Sequence, residues 1–207
     1  MDPLRLADHG PVIPVIVIED LEAAVPLARA LVDGGVRVLE ITLRTAVALR
    51  AIEAIARAVP EAIVGAGTVR RAADVQAARD AGCRFVVSPG YSEAIGVACA
   101  GHGIALLPGV ATASEVLQAS ADGHHFLKFF PAAAAGGVPM LKALAGPFAD
   151  VLFCPTGGID AASAPEYLAL ANVKVVGGSW LTPADAVRAR DWPRITRLAC
   201  EAAALRA

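Results

Sequence analysis

Short runs of apolar, largely β-branched residues recur along the whole chain, and each is followed by a longer stretch whose apolar positions have helical spacing. The runs predict strands over residues 11–18 (PVIPVIVI), 36–42 (VRVLEIT), 62–67 (AIVGAG), 84–90 (RFVVSPG), 103–110 (GIALLPGV), 125–131 (HFLKFFP), 151–158 (VLFCPTGG) and 173–180 (VKVVGGSW). The intervening stretches predict helices over 21–35, 45–59, 71–81, 92–101, 114–121, 138–144, 162–171 and from 183 onward, the last with one break near Pro193. Local punctuation agrees with these limits. Asp20 can cap the first helix, Pro26 falls in its early turns, and Gly34 and Gly35 end it. Pro60 stops the second helix and Gly82 the third.

Strict alternation of strand and helix specifies a parallel sheet. The strand runs are apolar throughout, as strands covered on both faces must be. Eight such units predict closure into a (β/α)8 TIM barrel, one α/β domain over 1–207 with a short lead over 1–10. It is smaller than the usual ~250 residues. An open doubly wound sheet is the competing arrangement. That fold brings a glycine fingerprint after its first strand, whereas here the first strand runs into Ile18, Glu19 and Asp20.

Composition narrows the function without naming one. Charged residues make up 18% of the chain and the net charge is −2. Lysine and arginine are scattered, so neither nucleic acid nor an anionic membrane is an expected partner. The apolar runs stay below the ~18 residues that cross a bilayer, and MDPLRLADHG lacks the basic-then-apolar order of a secretory signal. Cys83, Cys99, Cys154 and Cys200 form no C-x-x-C and predict reduced thiols in a cytoplasmic protein. His9, His102, His124 and His125 lack metal-ligand spacing, so no metal is expected.

In a (β/α)8 barrel, chemistry collects at the C-terminal ends of the strands. The sixth predicted strand carries Lys128 among aromatic and apolar residues. Alternation puts Phe126, Lys128 and Phe130 on one face, and Leu127 and Phe129 on the other. Loss of hydration there favours the neutral amine, a nucleophile for carbonyls. A lysine with a buried stem and a hydrated head is the plainer alternative. Glu40 is the matching oddity on the second strand. Val38, Glu40, Thr42 and Arg44 share parity and can face inward together. A buried carboxylate needs a partner, so Glu40 is either a structural ion pair with Arg44 or Lys128, or a general acid/base. Thr68, Pro89 and Thr156 lie at other strand ends. Glycine pairs follow the seventh and eighth strands, Gly157-Gly158 beside Thr156 and Gly177-Gly178 beside Ser179. In this fold such loops often bind phosphate through backbone N–H groups.

These segments also resemble a known family. LEITLRT, AIVGAGTV, VVSPG, LKFFPA, CPTGG and GGSW are similar to segments of the 2-dehydro-3-deoxy-phosphogluconate (KDPG) aldolase family, which also includes 4-hydroxy-2-oxoglutarate (KHG) aldolase activity. The resemblance runs from about Pro11 to the C-terminus. It implies a homotrimeric, metal-free class I aldolase with no cofactor beyond a covalent Schiff base on Lys128. It implies Glu40 as general acid/base, Arg44 as carboxylate-binding residue and Thr68 as a substrate-binding residue. Thr156 would set the preference for the gluconate-derived over the galactonate-derived substrate. Phosphate would lie on Gly158, Gly178 and Ser179, with Gly157 beside them, and Phe130 and Pro89 would wall the apolar side. The implied partners are a phosphorylated 2-oxo sugar acid and pyruvate. Two departures stand out. Relatives often read FFPAEANGG where this chain has Ala133 and Ala135, and some carry an arginine at the end of the first strand where this chain has Glu19. Residue chemistry alone leaves open a metal-free phosphosugar isomerase or epimerase, and a non-catalytic phosphosugar-binding barrel.

Overall fold

The computed structural model describes residues 3–205. A 3-10 helix, Pro3–His9, leads into β1 (Val12–Ile16), α1 (Leu21–Asp33), β2 (Val38–Thr42), α2 (Ala48–Ala58), β3 (Ile63–Gly67) and α3 (Ala72–Asp80). Then come β4 (Phe85–Val87), α4 (Glu93–His102), β5 (Ala105–Leu107), β6 (Gly109–Val110), α5 (Ala113–Ala121), β7 (Phe126–Phe129) and α6 (Gly137–Leu144). The chain closes with β8 (Leu152–Pro155), α7 (Ala164–Leu168), β9 (Val176–Gly178), α8 (Ala184–Arg188) and α9 (Trp192–Ala203).

All strand pairs are parallel, as the alternation required. They do not form one continuous eight-stranded sheet. Hydrogen bonding gives a six-stranded sheet, β5-β4-β3-β2-β1-β9, and a three-stranded sheet, β6-β7-β8. The expected fifth strand is cut in two at Pro108, which has no N–H for a ladder. Its carbonyl still works, accepting the Lys128 N–H at 2.8 Å. On the other side of the sheet pair, isolated parallel bridges join Phe153 to Val173 and Thr156 to Gly177.

The strands separate two apolar cores. Leu39, Ile41, Val64, Val86, Leu127 and Phe129 point outward to the helices, in the larger core. Ile13, Val38, Phe85, Leu107, Phe126 and Cys154 point inward, in the smaller one. Burial on both faces accounts for the unbroken apolar runs. The lead is more than a leader. Leu6 and Ala7 of the 3-10 helix are buried in the inner core. The break in the last helix falls before Trp192 rather than at Pro193, because proline is tolerated in a first helical turn. No described helix is long and apolar enough to cross a membrane.

The four thiols are free; Cys83, Cys99 and Cys154 are buried and Cys200 is exposed. Burial pushes the thiols of Cys83 and Cys154 up to about 12, and that of Cys99 up to about 11. At about pH 8 iodoacetamide should therefore alkylate Cys200 alone in the native protein, and all four after denaturation. Mass spectrometry of the labelled protein reads the count directly. Rapid native labelling of Cys154 would contradict the packing described.

Candidate active site

Two charged side chains sit inside the smaller core. Glu40 is the middle residue of β2 and Lys128 lies near the end of β7. Only 3% of Glu40 and 5% of Lys128 is exposed. Their neighbours on the inward face, Val38 and Phe126, belong to the same core, so the alternation read from the sequence holds. The two meet across the interior, with Lys128 Nζ donating to Glu40 Oε1 at 3.1 Å. The pair thus ties the six-stranded sheet to the three-stranded one.

Each partner has a shaped seat. Glu40 lies against Gly67 of β3, where a Cβ would overlap Oε1 and come within 2.7 Å of Cγ. Lys128 is held at its backbone by Pro108, and its Nζ lies 5.3 Å from the centre of the Phe130 ring. That is within cation–π range. The structure therefore selects Lys128, not Arg44, as the partner of Glu40. Arg44 lies past the end of β2 and is exposed, so inward parity stops at Thr42. Its Nε donates to Thr42 Oγ1 at 3.2 Å, and the Thr42 hydroxyl donates to the Ile16 carbonyl at 3.0 Å.

Arg44 and Ser179 line one cavity of about 490 Å³, together with Val17, Glu19 and Thr182. The Lys128–Glu40 pair is not among its lining residues. Thr68 follows β3 with φ of 62°, a left-handed conformation that costs a non-glycine residue roughly 1–2 kcal/mol. It is half-buried at the end of that strand.

The remaining candidates cluster around the turn after β8. Thr156 is buried and its hydroxyl donates to the Cys154 carbonyl at 3.4 Å. Gly177 packs so closely on Thr156 that a Cβ would overlap Oγ1. Thr156 and Gly157 carbonyls accept the N–H groups of Ala132 and Ala133 at 2.8 and 3.0 Å, which fastens the loop after β7 to this turn. A Cβ on Gly157 would lie 3.3 Å from the Phe130 ring, so that ring is part of the same cluster. Gly158 has φ of 73° and is exposed, as is Ser179, while Gly178 is buried under the Trp180 ring. Pro89 is half-buried with its backbone against Gly109, the register partner of Lys128. Sequence reasoning missed the parts played by Gly67, Pro108 and Gly109. The signal was present for Gly67, an inward-parity glycine on the strand beside Glu40. Among the described residues, no group of three His, Cys, Asp or Glu side chains is placed to hold a metal ion.

Chemically, the arrangement joins an amine to a carboxylate inside the smaller core. An amine in this place can attack a carbonyl, and the carboxylate can carry protons for it. Comparisons with known proteins agree on the kind of protein involved. The family described as KDPG and KHG aldolase matches residues 5–198. The KHG/KDPG aldolase of Escherichia coli K12 is 55% identical over 193 residues, covering 93% of this chain and 91% of the relative. A KDPG aldolase structure from Legionella pneumophila, with pyruvate captured as a covalent carbinolamine, aligns with a TM-score of 0.96 at 46% identity over 99% of each chain. The Zymomonas mobilis ZM4 aldolase structure with 3-phosphoglycerate aligns at TM-score 0.93 and 49% identity, covering 97% of this chain and 94% of that one.

The seat under Glu40 predicts that Gly67→Ala cannot be accommodated passively, because the new Cβ would displace a buried carboxylate. Overpacking of this kind costs about 1–3 kcal/mol. A denaturant titration should show the loss as a lower midpoint. An unchanged midpoint would mean that Glu40 moves aside freely.

Proposed function

The chain belongs to the KDPG and KHG aldolase family, and on that premise we propose how its residues carry out aldol cleavage. The protein is a class I aldolase that cleaves 2-dehydro-3-deoxy-6-phosphogluconate to pyruvate and glyceraldehyde 3-phosphate, with 4-hydroxy-2-oxoglutarate, giving pyruvate and glyoxylate, as a further substrate. The observation that carries the residue assignment is the buried Lys128–Glu40 contact at 3.1 Å.

Lys128 gives up a proton, with Glu40 as the base in reach, and its neutral Nζ attacks the 2-oxo carbon. A carbinolamine forms, its hydroxyl leaves as water with the proton that Glu40 returns, and an iminium results beside a carboxylate that is again ionised. Capture of a carbinolamine with pyruvate in the Legionella pneumophila relative supports this route. Glu40, directly or through a water, then takes the proton of the C4 hydroxyl. The C3–C4 bond breaks, its electron pair moves toward the iminium, and the aldehyde departs. The enamine is protonated at C3, and hydrolysis frees pyruvate and Lys128. The iminium on Lys128 is the electron sink, so the cycle requires neither a metal nor an organic cofactor.

Arg44 binds the carboxylate from the rim of the cavity it shares with Ser179. Thr68 supplies a hydroxyl, and Thr156 a buried one that discriminates at C4. Gly157, Gly158, Gly178 and Ser179 receive the phosphate, in keeping with the 3-phosphoglycerate bound to the Zymomonas mobilis relative. Phe130 and Pro89 form the apolar wall. The fold reading goes with this one. Both sheets are walls of one (β/α)8 barrel forming a single domain, supported by the Pro108 carbonyl and the two isolated bridges that span the gaps between them. A homotrimer in the cytoplasm completes the proposal, and sedimentation equilibrium checks the assembly.

Borohydride reduction in the presence of pyruvate should add the mass of a reduced pyruvate to the parent protein and not to Lys128→Ala. An adduct on the variant at the parent level would move the Schiff base elsewhere. Absence of an adduct in the parent would favour an isomerase or a binding protein.

Glu40→Gln keeps the shape and a hydrogen-bonding group but removes proton transfer. General acid–base catalysis is worth roughly 10²–10⁴-fold, so kcat should fall by about that factor while trapping with pyruvate slows but still completes. A variant with a lowered melting temperature and nearly normal kcat would return Glu40 to a purely structural part.

A further inference from the structure

The backbone next to Lys128 belongs to the interrupted fifth strand. Gly109 of β6 is in register with Lys128, and Pro108 before it accepts the Lys128 N–H at 2.8 Å. Two residues further on, Phe130 N–H donates to the Val110 carbonyl at 3.0 Å. The position of Lys128 is thus copied from the 108–110 segment. Pro108 and Val110 turn their carbonyls to β7, so the segment's tie to the six-stranded sheet falls to Gly109, whose N–H faces β4. Ser88, just past β4, is fully buried at 0% exposure, and its Oγ accepts the Gly109 N–H at 3.4 Å. Its own N–H donates to the Leu107 carbonyl at 3.3 Å. Gly109 also admits the chain at this point, since a Cβ there would overlap the Pro89 carbonyl and lie 2.7 Å from the Ser88 carbonyl oxygen.

We propose that Ser88 and Gly109 form a clasp that sets the depth and direction of Lys128 and the place of Pro89, so that Ser88 is a positioning residue for the amine. The inference rests on the assignment of Lys128 made above. The clasp works through three linked facts. Ser88 supplies a side-chain acceptor for the Gly109 N–H. Gly109 lets the Pro89 backbone close over the seam. The seam then fixes Lys128, whose Nζ must reach both Glu40 and the substrate carbonyl. Misplacement of a reacting group by about 1 Å can cost roughly 100-fold in rate.

The test is the rate of pyruvate trapping by borohydride, the kcat and KM of cleavage, and the melting temperature, all measured on the same preparations. Ser88→Ala removes the acceptor without adding bulk. Its trapping rate and kcat should fall about tenfold, with KM changed much less, and the far-UV spectrum should be unaltered. Ser88→Cys, which keeps a weak acceptor, should recover part of the loss. Gly109→Ala should lose about 100-fold if it folds. A Ser88→Ala protein that is less stable but traps pyruvate within about twofold of the parent would overturn the clasp. A parent that forms no adduct would overturn the Lys128 assignment, and this inference with it.

Discussion

An ammonium and a carboxylate buried in an apolar interior must find each other, and much of the site geometry answers to that demand. Either ion alone would carry a penalty of several kcal/mol after relaxation. Together they are tolerated only in good hydrogen-bonding geometry. Lys128 and Glu40 meet at 3.1 Å although they stand on strands of different sheets. The contact therefore depends on how those sheets face each other. It depends on Gly67 leaving room for the carboxylate, and on the 108–110 segment holding the lysine strand in register.

The same demand connects stability to reactivity. A pair that is satisfied at rest gains nothing from moving, but under the proposed mechanism an entering 2-oxo acid offers both members new partners. The amine acquires a carbonyl carbon, and the carboxylate acquires protons to carry. In the proposed mechanism, chemistry happens where apolar packing was already given up. The rim is prepared differently. Arg44 reaches solvent and is steadied by Thr42, which is itself anchored to the Ile16 carbonyl. A long arginine held by its Nε leaves its terminal nitrogens for an anion.

The strand and helix order was legible because each face of a strand has one fate, and alternation of period two survives in the letters. Lys128 and Glu40 were legible for the same reason, as ions where apolar residues belong. Arg44 shares their parity yet points elsewhere, since the strand stops at Thr42 and parity means nothing beyond a strand end. The cut at Pro108 was visible as a proline, but whether a proline breaks a strand depends on which neighbour loses a donor, and that is a property of the assembled sheets. Ser88 stands within the predicted strand RFVVSPG, but its acceptor role depends on Gly109, 21 positions away. The 3-10 helix at Pro3–His9 is too short for periodicity to show, and it is held by inner-core residues far along the chain.

That helix has a consequence for how the molecule is made. Leu6 leaves the ribosome early, yet the apolar surface that buries it includes Phe126, Cys154 and Val175. At roughly 5–20 residues per second, translation separates Leu6 from Phe126 by about ten seconds. Until Val175 has been made, the wall against which Leu6 is sealed is incomplete, a cork waiting on a vessel still being blown.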